Sequence, residues 1–346
     1  MTQFPTFVIQ ALLYSLSAGI FASVITPVAI RIALRFRILD APNHRKVHKY
    51  SKPRVGGLAM FGVYFFMVLT LDLSSPLVRA ALVGSVLITM FGFLDDLFTL
   101  NARVKLVFQV LVAFLTASHL VGFGLTIDHL SILHTHYVML QWAAVPFTML
   151  WIVGVMNAIN LMDGLDGLAG GIAYIASLAL GLSSMILGQF EAALLFFILS
   201  GVVFGFLRYN FNPAKLFMGD SGSYFLGYNL ALLSIVGVWN AESVMAFTIP
   251  FLVLGIPFYD VVTSILRRIK NKTSIFHADG EHIHHRLIGR GFTHKQTVIV
   301  IYLESIFLAL AALSLLLVNS NVAIFVFVIL LFLAYLSTTY LRKYYR

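Results

Sequence analysis

Long, nearly uncharged apolar runs recur from one end of this 346-residue sequence to the other, and no other feature constrains its fold as tightly. A run of about 18 or more apolar residues can cross the hydrocarbon core of a bilayer as a helix. Hydrophobic residues make up 60% of the chain and charged residues 11%; soluble domains have about half and about a quarter. The expectation is an all-α polytopic membrane protein, with residues 1–346 forming one integral membrane domain and no room for a separate soluble one.

Eleven spans are expected, at about 7–30, 56–71, 77–94, 104–123, 138–156, 168–187, 190–207, 223–239, 244–266, 297–318 and 322–340. The first has no basic residue before it and many after, the reverse of a secretory signal, so it should remain as a span. Cytoplasmic loops of membrane proteins are enriched in Lys and Arg. With the N-terminus outside, every Lys and Arg in the chain except Arg79 falls on the cytoplasmic side. An error in the span count would have mixed the two sets, so the partition supports eleven spans with the C-terminus cytoplasmic. The acids follow the same split, with Asp40, Asp95, Asp96, Asp163, Asp166, Asp220, Asp279 and Glu281 on the basic side. The outer loop at 124–137 reads as a short solvated or interfacial loop.

The chain has no cysteine, which excludes disulfides, thiolate metal sites and cysteine nucleophiles. Its net charge of +9 invites a nucleic-acid reading. In a polytopic protein the placement of the basic residues explains that charge better, and no nucleic-acid partner is expected.

Four polar clusters sit where apolar spans meet the cytoplasm. In FGFLDDLFTLNARVK, Asp95 and Asp96 are adjacent and repel each other unless a cation lies nearby. A divalent metal or a basic substrate group would resolve that repulsion, and so would an acidic helix end stabilised by Arg103 and Lys105. In NAINLMDGLDGLAGG, residues 157–171, the set Asn157, Asn160, Asp163 and Asp166 recurs every third position, so helical neighbours pair along it. Oxygen donors without thiols or paired histidines suit a hard cation such as Mg²⁺; a hydrated loop capping the sixth span at Asp166 is the plainer alternative. In NFNPAKLFMGDSGSYFLG, Asp220 is flanked by Gly219, Ser221, Gly222 and Ser223, whose backbone N–H groups near a helix start suit phosphate. Ser221 or Ser223 could equally be a helix cap. In FHADGEHIHHRLIGRGFTHKQ, His282, His284, His285 and Arg286 match neither zinc-protease nor zinc-finger spacing. They suit a phosphorylated, sugar-bearing ligand better than zinc; a basic loop on lipid headgroups would explain the lysines but not the histidines.

Acids for a metal, small residues for phosphate and a basic cluster for anions thus gather on one membrane face. Phosphoryl transfer needs that combination of positioning and charge neutralisation. A transporter would instead hold polar groups near the bilayer midplane. Only Asp260 and Glu304 lie inside expected spans, both toward the cytoplasmic end.

In this order and spacing, Asp95–Asp96, NAINLMDGLDGLAGG, PAKLFMGDSGS and HIHHRL resemble the polyprenyl-phosphate N-acetylhexosamine-1-phosphate transferase family of glycosyltransferase 4 type. The resemblance covers nearly the whole chain and lies with the WecA/TagO-like branch, related to MraY. In the peptidoglycan branch three consecutive histidines precede an acid; here Ile283 interrupts them and Arg286 follows. The resemblance implies a bacterial plasma-membrane enzyme with eleven spans, an active site built from cytoplasmic loops, and commonly a homodimer. It implies transfer of N-acetylglucosamine-1-phosphate from UDP-GlcNAc to undecaprenyl phosphate, releasing UMP, as the first membrane step of a cell-envelope glycopolymer. Dependence on Mg²⁺ is implied, with Mn²⁺ able to substitute. Another UDP-N-acetyl sugar, or UDP-MurNAc-pentapeptide, is the alternative donor.

By the same resemblance, Asp95, Asp96 and Asp220 are catalytic, and Asp220, Asp95, Asp96 and Asp163 are near the metal. Lys105 steadies phosphate, Asn160, Asp163 and Asp166 hold the nucleotide, and Phe217 stacks on uracil. His282, His284, His285 and Arg286 contact the sugar and diphosphate. The loop SKPRVGG, with Lys52, Arg54, Gly56 and Gly57, resembles the family's first cytoplasmic loop.

Overall fold

The computed structural model describes residues 3–40, 51–132, 136–239, 248–274 and 281–317. The helices are α1 (Gln3–Phe36), α2 (Gly56–Val68), α3 (Pro76–Phe98), α4 (Ala102–Ala117), α5 (Ala144–Met162) and α6 (Leu168–Ile186). They continue with α7 (Phe190–Asn210), α8 (Gly219–Ser234), α9 (Thr248–Val253), α10 (Gly255–Lys270), α11 (Ile283–Gly289) and α12 (His294–Leu317). Two small antiparallel pairs, Leu39–Asp40 with Lys52–Pro53 and His129–Ile132 with His136–Met139, are the strands among the described residues.

Among the described residues, seven helices are long and apolar enough to cross a membrane: α1, α3, α5, α6, α7, α12, and α8 with its continuation to Trp239. The chain is an all-helical polytopic membrane protein. The second and fourth expected spans are shorter helices, 13 residues in α2 and 16 in α4. The ninth, expected as continuous, is broken between α9 and α10. Pro257 lacks the N–H that would bond to the carbonyl of Val253 one turn back, and the helix breaks at Leu254. The eleventh span, 322–340, lies outside the described residues. The loop at 124–137, expected as a short solvated or interfacial loop, carries part of the second strand pair.

The centre of the bundle is α8, buried along almost its whole length and packed against α3, α5 and α2. Its polar groups find partners in neighbouring helices. The Tyr228 hydroxyl donates to the Ala80 carbonyl at 2.9 Å, and Asn229 Nδ2 donates to Ser85 Oγ at 2.8 Å. Such interhelical hydrogen bonds are favoured where no water competes. At the periphery, α1 meets α7 through Ser15, Gly19, Gly201 and Gly205, and turns Leu12, Leu16 and Ile20 outward.

Local signals set the helix ends. Ser75 caps α3, its side chain accepting from the Leu77 and Val78 amides ahead of a favourable Pro76. Asn101 caps α4, accepting from the Arg103 amide at 2.8 Å. Only three residues, 99–101, join α3 to α4, so Asp95 and Asp96 come beside Lys105. Helix α5 continues past the expected end at 156 and stops at Met162, which puts Asn157 and Asn160 on its last turns.

Candidate active site

Asp220 is where the separate motifs meet. It opens α8, and its Oδ1 accepts from Asn160 Nδ2 of α5 at 2.8 Å. Its Oδ2 is 3.2 Å from Lys105 Nζ of α4 and 3.8 Å from Arg54 Nη2 of the first loop. The same Asn160 amide donates to Ser223 Oγ at 2.8 Å, one turn into α8. Residues more than a hundred positions apart thus converge on one carboxylate.

The adjacent pair Asp95–Asp96 divides its work. Asp95 Oδ2 is 2.5 Å from Lys105 Nζ, and Oδ1 accepts from the Leu100 amide at 2.8 Å. Lys105 therefore bridges Asp95 and Asp220. Asp96 turns to the start of α8, where helix amides lack internal partners. Its Oδ1 accepts from the Asp220 amide at 2.7 Å, and Oδ2 accepts from the Ser221 amide at 3.1 Å and the Ser221 hydroxyl at 2.8 Å. Arg54 Nε also reaches Oδ1 at 2.9 Å. With both oxygens bonded to the start of α8, Asp96 is a helix cap placed from another helix. Gly219 makes the approach possible: a side chain there would come 2.5 Å from the Asp96 carboxylate, and its backbone has φ +74°.

Burial works against the Arg54 charge, yet Asp96 and Asp220 hold its pKa above the ordinary value. Asp163, just past the end of α5, is in the opposite position. Burial, reinforced by Asp220, holds its carboxyl well above the usual range, and Arg54 offsets this only partly.

Asp166 joins a second pair of loops. Its Oδ2 accepts from the Ala214 amide at 2.9 Å and from Asn212 Nδ2 at 3.2 Å, with Lys52 Nζ at 3.7 Å. Lys52 also sits 4.9 Å from the centre of the Phe217 ring. Backbone bonds complete this seam, Phe217 to Pro53 at 2.8 Å and Gly57 to Met218 at 2.9 Å.

The histidine cluster begins at α11. His282 is bound through Nδ1 to Asp260 Oδ2 at 2.6 Å. His284 is buried, and among the described residues neither of its ring nitrogens has a hydrogen-bond partner. Burial, then His285 and His282, push its pKa down to about 3. It packs on Gly164, where a Cβ would lie 2.2 Å from Nε2. That contact ties the histidine cluster to the 157–171 stretch, while His285 is exposed at the rim.

Among the described residues no group of three His, Asp or Glu side chains is arranged to hold a metal. Mg²⁺ does not require one, because it keeps several waters and is usually bound by one or two carboxylates plus substrate phosphates. The under-compensated Asp163 carboxyl beside Asp220, in an all-oxygen donor set, fits such a hard cation.

The structure thus gathers Asp95, Asp96, Lys105, Asn160, Asp163 and Asp220 into one centre and places Asp166 and Phe217 in a neighbouring seam. His282, His284, His285 and Arg286 lie on α11 or just before it, reaching the rest through Gly164. Arg54, known from sequence only as part of a loop, stands inside the centre. Ser223 was read from sequence only for its backbone N–H or as a helix cap, not for the hydroxyl that meets Asn160, and Asp260 was not singled out for the site at all. Their signals were weak in sequence, a serine near a helix start and an acid within an apolar span.

Residues 78–238 match the family described as Glycosyl transferase family 4. The chain is 40% identical over 291 residues to the probable undecaprenyl-phosphate N-acetylglucosaminyl 1-phosphate transferase of Bacillus subtilis, covering 84% of this chain and 80% of that one. It is 34% identical over 319 residues to the decaprenyl-phosphate N-acetylglucosaminephosphotransferase of Mycobacterium leprae, covering 84% and 80%. Identity to the undecaprenyl-phosphate alpha-N-acetylglucosaminyl 1-phosphate transferase of Thermotoga maritima is 33% over 292 residues, covering 84% and 86%.

Proposed function

This chain belongs to glycosyl transferase family 4, and from that premise we propose that it transfers N-acetylglucosamine-1-phosphate from UDP-GlcNAc to undecaprenyl phosphate, releasing UMP. The carrying observation is the convergence on Asp220 of Lys105, Arg54 and Asn160, from three separate segments. Two cations and a ring of carboxylates at a helix start suit the transfer of a phosphoryl group between two anionic substrates.

In the reaction an oxygen of the lipid phosphate attacks the donor's β-phosphorus. The bond from that phosphorus to the bridging oxygen breaks, and UMP leaves with the bridging oxygen. A phosphomonoester has a second pKa near about 6, so the lipid phosphate is largely dianionic at neutral pH and the need for a general base is modest. Positioning and charge dominate. Lys105 and Arg54 offer cations to the diphosphate, and Asp95 keeps Lys105 in place. Asn160 fixes the carboxylate of Asp220, and Asp96 fixes the helix start that carries it. Asp220 and Asp163 are the residues that would hold Mg²⁺, or Mn²⁺ in its stead; when bound, the ion neutralises charge on the diphosphate. Asp166 orders the seam that brings Phe217 and Lys52 toward the nucleotide. The histidines and Arg286 serve the sugar and diphosphate.

The chain acts as one integral membrane domain of eleven spans, N-terminus outside, with the site facing the bacterial cytoplasm and the enzyme working as a homodimer. The one-sided placement of Lys and Arg supports that orientation. The test is UMP release by purified protein given undecaprenyl phosphate and a panel of UDP-N-acetyl sugars with Mg²⁺. UDP-GlcNAc should be the best donor; release from a different sugar alone would move the donor assignment, and release from none would end the proposal.

A further inference from the structure

Asp260 is a buried acid with no part in the chemistry above. It lies in α10, 1% exposed, and its two oxygens serve two different groups. Oδ1 accepts from the Ile283 amide at 2.7 Å, capping α11 from outside, while Oδ2 meets His282 Nδ1 at 2.6 Å. An ionised carboxylate can only accept hydrogen bonds, so the imidazole proton is held on Nδ1. Among the described residues Nε2 of His282 has no protein partner, which makes it the atom left to meet a ligand.

We propose that Asp260 is a positioning residue that fixes His282 with Nδ1 protonated, so that Nε2 presents a lone pair to a hydroxyl or amide N–H of the donor's amino sugar. This rests on the transferase reading for the identity of the ligand but not for the tautomer. Two observations place the pair on the donor side. The ring of His282 stacks parallel to His284 at 5.9 Å between centroids. His284 in turn packs on Gly164, in the stretch that supplies Asn160 and Asp163. A lone pair held by a buried partner selects for a hydrogen-bond donor, and a site built this way rejects analogues that lack it.

Asp260→Asn separates the two jobs of the carboxylate. The amide oxygen can still accept from the Ile283 amide, so the cap survives. Its NH₂ would donate to Nδ1 and drive the proton to Nε2, reversing the lone pair. Expected is a rise in KM for UDP-GlcNAc of roughly 10- to 100-fold, the scale of one lost buried hydrogen bond, with KM for the lipid phosphate unchanged. In a His282→Gln background the same change should cost nothing further. Nitrogen-15 spectra of the purified protein, with His282 assigned by its loss in His282→Gln, should show Nδ1–H in the parent and Nε2–H in Asp260→Asn. The proposal is overturned by an Nε2–H tautomer in the parent, by an Asp260→Asn enzyme with the parent's KM, or by additive effects in the double variant. Should the parent turn over no sugar nucleotide, the transferase reading fails while the spectra still decide the tautomer.

Discussion

The carboxylate of Asp96 accepts the backbone N–H of Asp220 at 2.7 Å. One acid of the adjacent pair therefore holds in place the start of the helix that bears the central acid. The relationship separates two kinds of aspartate that look alike in sequence, those that build the site and those that face the substrates.

Loss of a side-chain cap costs about 0.5–2 kcal/mol, and Asp96→Ala would also strip Arg54 of its closest carboxylate. Expected for Asp96→Ala is lower stability and turnover reduced at least roughly tenfold through displacement of Asp220. Asp220→Asn should abolish turnover with stability close to the parent's. Thermal unfolding in detergent, run beside the activity assay, distinguishes them; an Asp96→Ala protein as stable as the parent would remove the cap role.

Lys105 bridges Asp95 and Asp220, at 2.5 Å and 3.2 Å. Lys105→Met leaves these two acids without their shared cation and removes a charge offered to the diphosphate. Turnover should fall on the order of 10²- to 10³-fold, as when one charge-stabilising donor is removed from an active site. Lys105→Arg should recover part of the loss, since the guanidinium keeps the charge but not the compact ammonium geometry. Equal turnover in Lys105→Met and the parent would exclude Lys105 from the reaction.

His284 titrates at about 3 in the fold, against its ordinary 6.5. The folded state thus favours the neutral ring, and the unfolded chain takes up the proton first as pH falls. The resulting loss of stability begins near pH 6.5, grows by about 1.4 kcal/mol per pH unit, and levels off only near 3. Between pH 7.5 and 5.5 the parent should lose about 1.4 kcal/mol more than His284→Gln, which cannot titrate. Parallel unfolding curves for the two proteins across that range would contradict the burial of a neutral His284.

Orientation can be read by labelling, because the chain has no cysteine of its own. Ser74 is exposed in the turn before α3, and Gly289 has open space around it at the end of α11. With the N-terminus outside, Ser74→Cys should react with a membrane-impermeant maleimide in intact cells, and Gly289→Cys only after permeabilisation. The reverse pattern would invert the topology.

The polytopic helical class was legible in the sequence because a lipid solvent dictates it. Where individual polar side chains go was less so. The every-third spacing of Asn157, Asn160, Asp163 and Asp166 pairs helical neighbours, but it does not say where the stripe breaks or which partner each side chain takes. Three residues advance a helix by about 300°, so such a stripe winds away from any one face, and α5 ends at Met162 before it is complete. The four side chains go to different places: Asn157 to Gln109, Asn160 to Asp220, Asp166 to the loop at 212–214, and Asp163 to the carboxyl-rich centre. The link from Asp260 to His282 could not be read because it joins an apolar helix to a distant loop, and no periodicity encodes such a pairing. The break in the ninth expected span has a sequence signal in Pro257, although the apolar run around it reads as continuous.

The central claim is that the sugar leaves the nucleotide together with its phosphate. The direct test supplies UDP-GlcNAc labelled with ³²P at either the α or the β position, plus undecaprenyl phosphate, to the purified protein. Expected is β-label in the lipid product and α-label in UMP. Release of UDP carrying both labels, with unlabelled phosphate in the glycolipid, would mean that only the sugar is transferred and would contradict the assignment of Lys105, Arg54 and Asp220 to a diphosphate-transfer centre.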